Sequence, residues 1–356
     1  MLPRPVPQVA AMAAYPLAQL GQAMVSLAQN ESACAPSPAA LAAAQAALAG
    51  AALYPDPDCT DLRSAVAGVH ALDASSILCG AGSMELITGL ARAYLGPGDR
   101  AAMPAHGYMY FATAARLAGA EVDLAPEADL TVDAGALLDC VTDRTRVVFV
   151  ANPGNPTGTR IGRADLVALR DWLRGDVLLV IDEAYAEFAP AEPMFDLAAR
   201  GDTVVLRSFS KAYGLAGLRA GWGVFPAPVL AEVQKVMPPN GVTAPSQAAA
   251  AAAMRDQDWM RATVATTAAR RDAFCARMRA AGLRVTDSNT NFALLGFATP
   301  EAAARADADL RAAGIVLRGM AGSGLPHMLR ATVGAEAEMD RAAGVIEASL
   351  MRGRAT

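Results

Sequence analysis

Between residues 76 and 336, short apolar runs alternate with longer stretches of helical spacing. That rhythm predicts an α/β chain with a mostly parallel sheet. The runs read as strands are 76–79, 100–104, 121–124, 146–151, 177–182, 203–208 and 220–224. Several end in polar residues, and open α/β sheets gather ligands beyond the carboxyl ends of their strands. Chemistry is therefore sought at those ends.

After Pro238-Pro239-Asn240-Gly241 the texture changes to a long helical region, 245–281, then a strand-like run at 291–295 and a final strand–helix unit. Three parts are predicted: an arm over 1–40 that packs on the small domain or on a partner subunit, a large domain over 41–240 and a small α/β domain over 241–356. The alanine tract 248–253 reads as helix, not as a linker.

Composition narrows the function. The 356 residues carry a net charge of −5 and are 54% hydrophobic, enough for a large core and against disorder. Alanine is about a quarter of the chain, a bias without functional weight. No apolar run approaches the roughly 20 residues of a membrane span, and the first residues are proline-rich with no basic region ahead of an apolar stretch, so a cytoplasmic protein away from membranes is expected. Scattered arginines without a basic stripe argue against nucleic acid. The five cysteines and three histidines show no metal-ligand spacing, so no metal is expected. Only two lysines occur, Lys211 and Lys235. Any lysine chemistry must use one of them.

Four segments carry candidate chemistry. The run Val204-Val205-Leu206-Arg207-Ser208-Phe209-Ser210-Lys211 delivers two hydroxyls and a lysine from a strand into a turn, with Arg219 eight residues later, a plausible phosphate cradle. The strand 177–182 ends in Asp182, whose carboxylate is costly to bury unless paired, as with a protonated ring nitrogen. Asp182-Glu183 could also hold magnesium, but no GxxxxGK[ST] loop accompanies it. Asn152-Pro153-Gly154-Asn155-Pro156-Thr157-Gly158 is a tight turn that would set the Asn155 amide at a strand's carboxyl end. Gly80-Ala81-Gly82-Ser83-Met84-Glu85 precedes a helix whose first amides suit a phosphate. It half-matches GxGxxG, with Glu85 in place of the third glycine, which makes a Rossmann dehydrogenase an alternative class. Lys235 closes a helix with no phosphate-binding company and reads as a solvated cation.

Together these segments resemble the fold-type I (aspartate aminotransferase-like) family of pyridoxal 5'-phosphate (PLP) enzymes, in particular the class II aminotransferases similar to histidinol-phosphate aminotransferase. The resemblance spans nearly the whole chain and is most specific at SFSKAYGLAGLRAGW, NPGNPTG and DEAY. It implies Lys211 as the lysine that carries the cofactor and serves as general base, Asp182 paired with the pyridinium nitrogen, and Asn155 and Tyr185 as donors to the ring hydroxyl. Ser208, Ser210, Arg219 and the amides of Ser83 and Met84 would hold the phosphate. Tyr108 would stack on the ring, with Tyr110 the alternative two residues on. Tyr54 would reach the partner subunit's cofactor phosphate, which implies a homodimer. Arg330 and Arg318 would grip the substrate's anionic groups, and Asn30 lies in the matched N-terminal substrate motif.

The substrate side departs from the family pattern. Cys34 stands where relatives have a tyrosine, His106-Gly107-Tyr108 replaces a Pro-Thr-Tyr triplet, and Met84 occupies an acidic position. The resemblance thus implies amino transfer between an anionic amino compound and a 2-oxo acid. A PLP-dependent decarboxylase of an amino acid phosphate is the first alternative, and a non-catalytic regulatory module the second.

Overall fold

The computed structural model describes residues 3–13, 24–189 and 192–354. Its strands, in chain order, are β1 (Val25–Leu27), β2 (Ile77–Gly80), β3 (Arg100–Pro104), β4 (Glu121–Ala125), β5 (Thr145–Ala151) and β6 (Leu178–Asp182). They continue as β7 (Thr203–Ser208), β8 (Gly221–Val224), β9 (Arg284–Val285), β10 (Phe292–Gly296), β11 (Ile315–Gly319) and β12 (Met328–Thr332). Each of the seven runs expected between residues 76 and 224 is a strand, with ends shifted by at most a residue or two.

Those seven build one sheet in the order β2-β8-β7-β6-β5-β3-β4. Only β8 runs against its neighbours, so six carboxyl ends point the same way. Alternation along the central strands splits their side chains between two cores. Val147, Phe149, Leu178, Val180, Val204 and Leu206 enter one, while Val148, Val150, Leu179, Ile181 and Val205 enter the other. A sheet covered on both faces needs such unbroken apolar strands.

Parallel strands require crossovers, and helices supply them: Ser83–Tyr94 from β2 across the sheet to β3, Met109–Leu117 from β3 to its neighbour β4, and Arg163–Trp172 from β5 to its neighbour β6. The step from β7 to β8 is antiparallel and needs none. It is made by the loop 209–220, which carries Lys211 and Arg219.

The second sheet has the order β1-β11-β12-β10-β9, packs on helix Pro300–Ala312 and shares one core with helix Glu336–Arg354. The helical region 245–281 is two helices, Ala244–Arg255 and Gln257–Ala280. Asp256 divides them, ending the first and accepting the Trp259 N–H at 3.3 Å to cap the second. Ala244–Arg255 packs on helices Pro38–Ala47 and Thr60–His70 beside the seven-stranded sheet. Of the expected arm, Val25–Leu27 joins the second sheet parallel to β11, while residues 1, 2 and 14–23 lie outside the described residues. No helix among the described residues is long and apolar enough to cross a membrane.

Trp222 on β8 is fully buried and packs its ring against His70 and Phe195. Truncation leaves a cavity the neighbours cannot fill, so Trp222→Ala is expected to cost about 3–5 kcal/mol, read as a lowered melting temperature. An unchanged melting temperature would contradict this packing.

Candidate active site

The carboxyl ends of β5, β6 and β7 open into a cavity of about 560 Å³. Its floor is Asp182, the last residue of β6, which is buried and accepts the Ala184 N–H at Oδ1 (3.0 Å). Strand alternation sends the next residue the other way: Glu183 pairs with Arg207 at 2.9 Å, and Glu187 joins them at 3.0 Å. Asp182 and Glu183 therefore face different surroundings, unlike a shared magnesium site. Burial pushes the Asp182 carboxyl up to about 6, with the nearby Glu183 adding to the rise against the Ala184 bond and Lys211.

Lys211 enters from the β7–β8 loop. Its Nζ donates to the Asn30 carbonyl at 2.9 Å and stands 5.8 Å from the centre of the Tyr185 ring. Burial lowers its ammonium to about 8, helped by the positive charges of Arg330 and Arg219 and opposed by Glu31 and Asp182. Such a lysine is neutral for roughly a tenth of the time at pH 7 and about half at pH 8, far more than an ordinary one, as a nucleophile or base needs. Lys235, by contrast, is exposed and pairs with Glu232 at 2.6 Å.

A second cluster lies at the start of helix Ser83–Tyr94. Glu85 accepts the Ala81 N–H at 2.7 Å, while Ser83 and Met84, in the helix's first turn, have amides with no intrahelical acceptor. Ser208 accepts the Ser210 N–H at 3.1 Å, and Arg219 reaches the Ser210 hydroxyl at 3.4 Å. Two glycines permit this crowding. A Cβ on Gly82 (φ +85°) would meet the Arg219 guanidinium at 2.6 Å, and one on Gly221 would meet the Ser83 nitrogen at 2.5 Å. Hydroxyls, a guanidinium and helix-terminal amides converge on one end of the cavity, the donor set of a phosphate site.

Asn155 sits at the tip of the loop after β5, which Asn152 closes through bonds with both backbone groups of Ile161. Its Oδ1 accepts Nη1 of Arg330 at 2.5 Å, so its Nδ2 is the donor side. Arg330 also donates to the Ala28 carbonyl at 3.0 Å and lies over Phe292. Arg318 is its cross-strand partner between β11 and β12. Both guanidiniums line the cavity.

Tyr185 is buried, and its hydroxyl accepts the Asn30 amide at 2.8 Å. Asn30 adopts a left-handed backbone (φ +55°), tolerated by asparagine. Tyr108 lines the cavity with Phe111 and Phe149 stacked behind it. Tyr110 is not among the lining residues and bonds Thr88 instead.

One cavity thus collects Ser83, Met84, Tyr108, Asn155, Asp182, Tyr185, Ser208, Ser210, Lys211, Arg219, Arg318, Arg330 and Asn30. Tyr54 is the exception: it is 89% exposed and outside the cavity. Sequence reasoning missed Asn291, whose Nδ2 holds the carbonyls of Asn30 and Glu31 at 3.0 and 3.2 Å. It missed Thr332 as well, whose hydroxyl accepts the Asn30 N–H at 2.9 Å. Both lie more than 250 residues from their partners, and no local pattern marks them.

A buried carboxylate opposite a lysine of lowered pKa, beside a phosphate cradle, fits a phosphorylated pyridinium. Fold and cavity define a PLP-dependent aminotransferase of fold type I. The chain belongs to the class I and II aminotransferases, whose family model matches residues 22–346. It is 41% identical over 319 residues to the histidinol-phosphate aminotransferase of Ruegeria pomeroyi, covering 88% of each chain. To that of Erythrobacter litoralis it is 43% identical over 333 residues, covering 92% of this chain and 90% of the relative. The crystal structure of histidinol-phosphate aminotransferase from Sinorhizobium meliloti in complex with pyridoxal-5'-phosphate superimposes with a TM-score of 0.93 at 27% identity, covering 99% of both chains. The decarboxylase alternative has no support among these relatives.

The lowered Lys211 pKa has a consequence for stability. Between about 8 and its ordinary 10.5 the unfolded chain holds a proton that the folded chain has released, so stability rises with pH across that window. The cofactor-free protein is expected to show this rise in its melting temperature, and Lys211→Met to lose that part of it. Identical pH profiles for the two proteins would refute the shifted lysine.

Proposed function

We propose that this aminotransferase takes a phosphate-bearing amino donor of the histidinol phosphate type and passes its amino group to a 2-oxo acid, as a cytoplasmic homodimer. One observation carries the substrate reading: Arg318 and Arg330 stand opposite each other on β11 and β12, at the cavity that also holds Lys211. Like charges directly opposite on a sheet repel, and an anion between them turns that repulsion into binding. The names of the relatives supply the chemical class of that anion.

The residues present would hold the cofactor as follows. Ser208, Ser210, Arg219 and the amides of Ser83 and Met84 take its phosphate, Asp182 its ring nitrogen, Asn155 and Tyr185 its ring hydroxyl, and Tyr108 one ring face. When bound, PLP supplies an electron sink for negative charge developing at the substrate's Cα. Asp182 is suited to a cationic partner, which would draw its raised pKa back down and keep the ring nitrogen protonated. Lys211, neutral for much of the time near pH 8, takes and returns the proton at Cα. Arg330, fixed by Asn155 and Ala28, orients the substrate's anionic end, and Arg318 takes a second oxygen. Asn30 ties the loop after β1 to Tyr185 and Lys211 and shapes the wall the substrate meets.

Tyr54 and an apolar groove lined by Pro36, Leu41, Ala44, Leu48 and Leu218 support the homodimer. A tyrosine 89% exposed and a leucine-lined groove are unfavourable in water and suited to cover by a second copy. Five free cysteines accord with a reducing compartment.

The near-visible spectrum of the purified enzyme tests the function. Histidinol phosphate should convert the yellow cofactor band to the amino form, and a 2-oxo acid should restore it. A band that histidinol phosphate leaves untouched would refute the substrate class. Arg330→Ala should raise KM for that substrate by about tenfold to a hundredfold while the cofactor band persists. An unchanged KM would move the anion site elsewhere.

Sedimentation should give twice the 36.6 kDa chain mass. A monomer at working concentration would overturn the role given to Tyr54.

A further inference from the structure

His106 is a departure from the family pattern that the proposed chemistry leaves unused. Strand β3 ends at Pro104, the chain turns with Gly107 N–H bonded to the Pro104 carbonyl (2.9 Å), and helix Met109–Leu117 begins. Tyr108 and Met109 line the cavity, but His106 does not. Its backbone N–H donates to Glu127 Oε1 at 2.9 Å, which anchors this loop to the chain after β4. Its imidazole turns the other way, toward the second sheet.

There Nδ1 lies 2.8 Å from the carbonyl oxygen of Ser323. A carbonyl can only accept, so Nδ1–H is the donor. Ser323 belongs to the turn 320–324 between β11 and β12, so it links the strand of Arg318 to the strand of Arg330. Met320 and Ser323 of the same turn also face the cavity. The turn is a unit, with Ser323 N–H and Leu325 N–H both bonded to the Met320 carbonyl and Gly324 N–H to that of Ala321.

Two glycines bring the turn close. A Cβ on Gly324 (φ +75°) would lie 3.5 Å from Cε1 and Nδ1 of His106, and one on Gly322 would lie 3.6 Å from the Met109 methyl. The imidazole therefore joins the loop after β3 to the turn between the strands of the two arginines.

We propose that His106 is a positioning residue: its bond to Ser323 latches the turn 320–324, and through it Arg318 and Met320, against the loop carrying Tyr108, so that the substrate's phosphate meets a fixed cation. The proposal rests on the phosphate-bearing substrate read above. Arg318 and Arg330 stand opposite each other as like charges on the two strands that the turn joins, so movement of the turn is felt at both. A clamp that must be ordered as the substrate binds loses affinity to that ordering. The imidazole itself touches no reacting atom.

The test compares His106→Ala with His106→Asn, whose Nδ2 stands near the position of Nδ1 and can donate to the same carbonyl. His106→Ala should raise KM for histidinol phosphate about tenfold, with kcat changed less than about twofold. His106→Asn should recover most of the loss. Hydrogen exchange supplies a readout without substrate: the amides of Ser323, Gly324 and Leu325 should exchange faster in His106→Ala and near the wild-type rate in His106→Asn. Faster exchange with an unchanged KM overturns the positioning role, and unchanged exchange overturns the latch. A kcat loss at constant KM, or no recovery with asparagine, overturns it too. Should the wild-type enzyme not turn over histidinol phosphate, the substrate reading fails, and the exchange comparison still decides the latch.

Discussion

Lys211 and Asp182 carry opposite ionisable groups into one desolvated cavity, and most of the surrounding architecture follows from that. Burial pushes each toward its neutral form, the carboxyl up and the amine down. Neither is neutralised by a direct ion pair between the two. Asp182 is held by a backbone amide and Lys211 by a backbone carbonyl, and each is left with capacity for a ligand. The cofactor chemistry needs a carboxylate that welcomes a cation and an amine that can lose its proton, and this burial produces both.

Position then depends on the sheet. Parallel strands bring Asp182 and Ser208 to one edge, and the antiparallel return through β8 brings Lys211 and Arg219 back over that edge. Gly82 and Gly221 let the helix amides approach where any side chain would collide. Alternation sends Glu183 and Arg207 to the opposite side, where they pair with each other and with Glu187. The cavity's charge is therefore set by Asp182, Glu31, Lys211 and three arginines without interference from that buried network.

The second sheet closes the end of the cavity that Arg318 and Arg330 line. Arg330 is fixed against Asn155 of the large sheet, and Thr332 and Asn291 hold Asn30 from the same small sheet. The loop after β1 is thereby clamped between the two sheets, with its carbonyls turned toward Lys211 and Asn291.

Much of this was legible in the chain. Unbroken apolar runs located the seven strands of the large sheet because strands buried on both faces admit few polar residues. The short motifs at residues 80–85, 152–158, 182–185 and 208–219 were legible because each builds its part of the site from neighbours in sequence. The break at Asp256 was missed, since helical composition continues across it and only the cap geometry divides the helices. The partners of Asn30, the pairing of Arg330 with Asn155, the choice of Tyr108 over Tyr110 and the bond from His106 to Ser323 were decided by tertiary structure alone. They join residues from 155 to 302 positions apart, or hinge on which way a side chain turns at a helix start. Local sequence specifies which groups stand at a strand's end, and only the packing of one sheet against another determines what those groups meet.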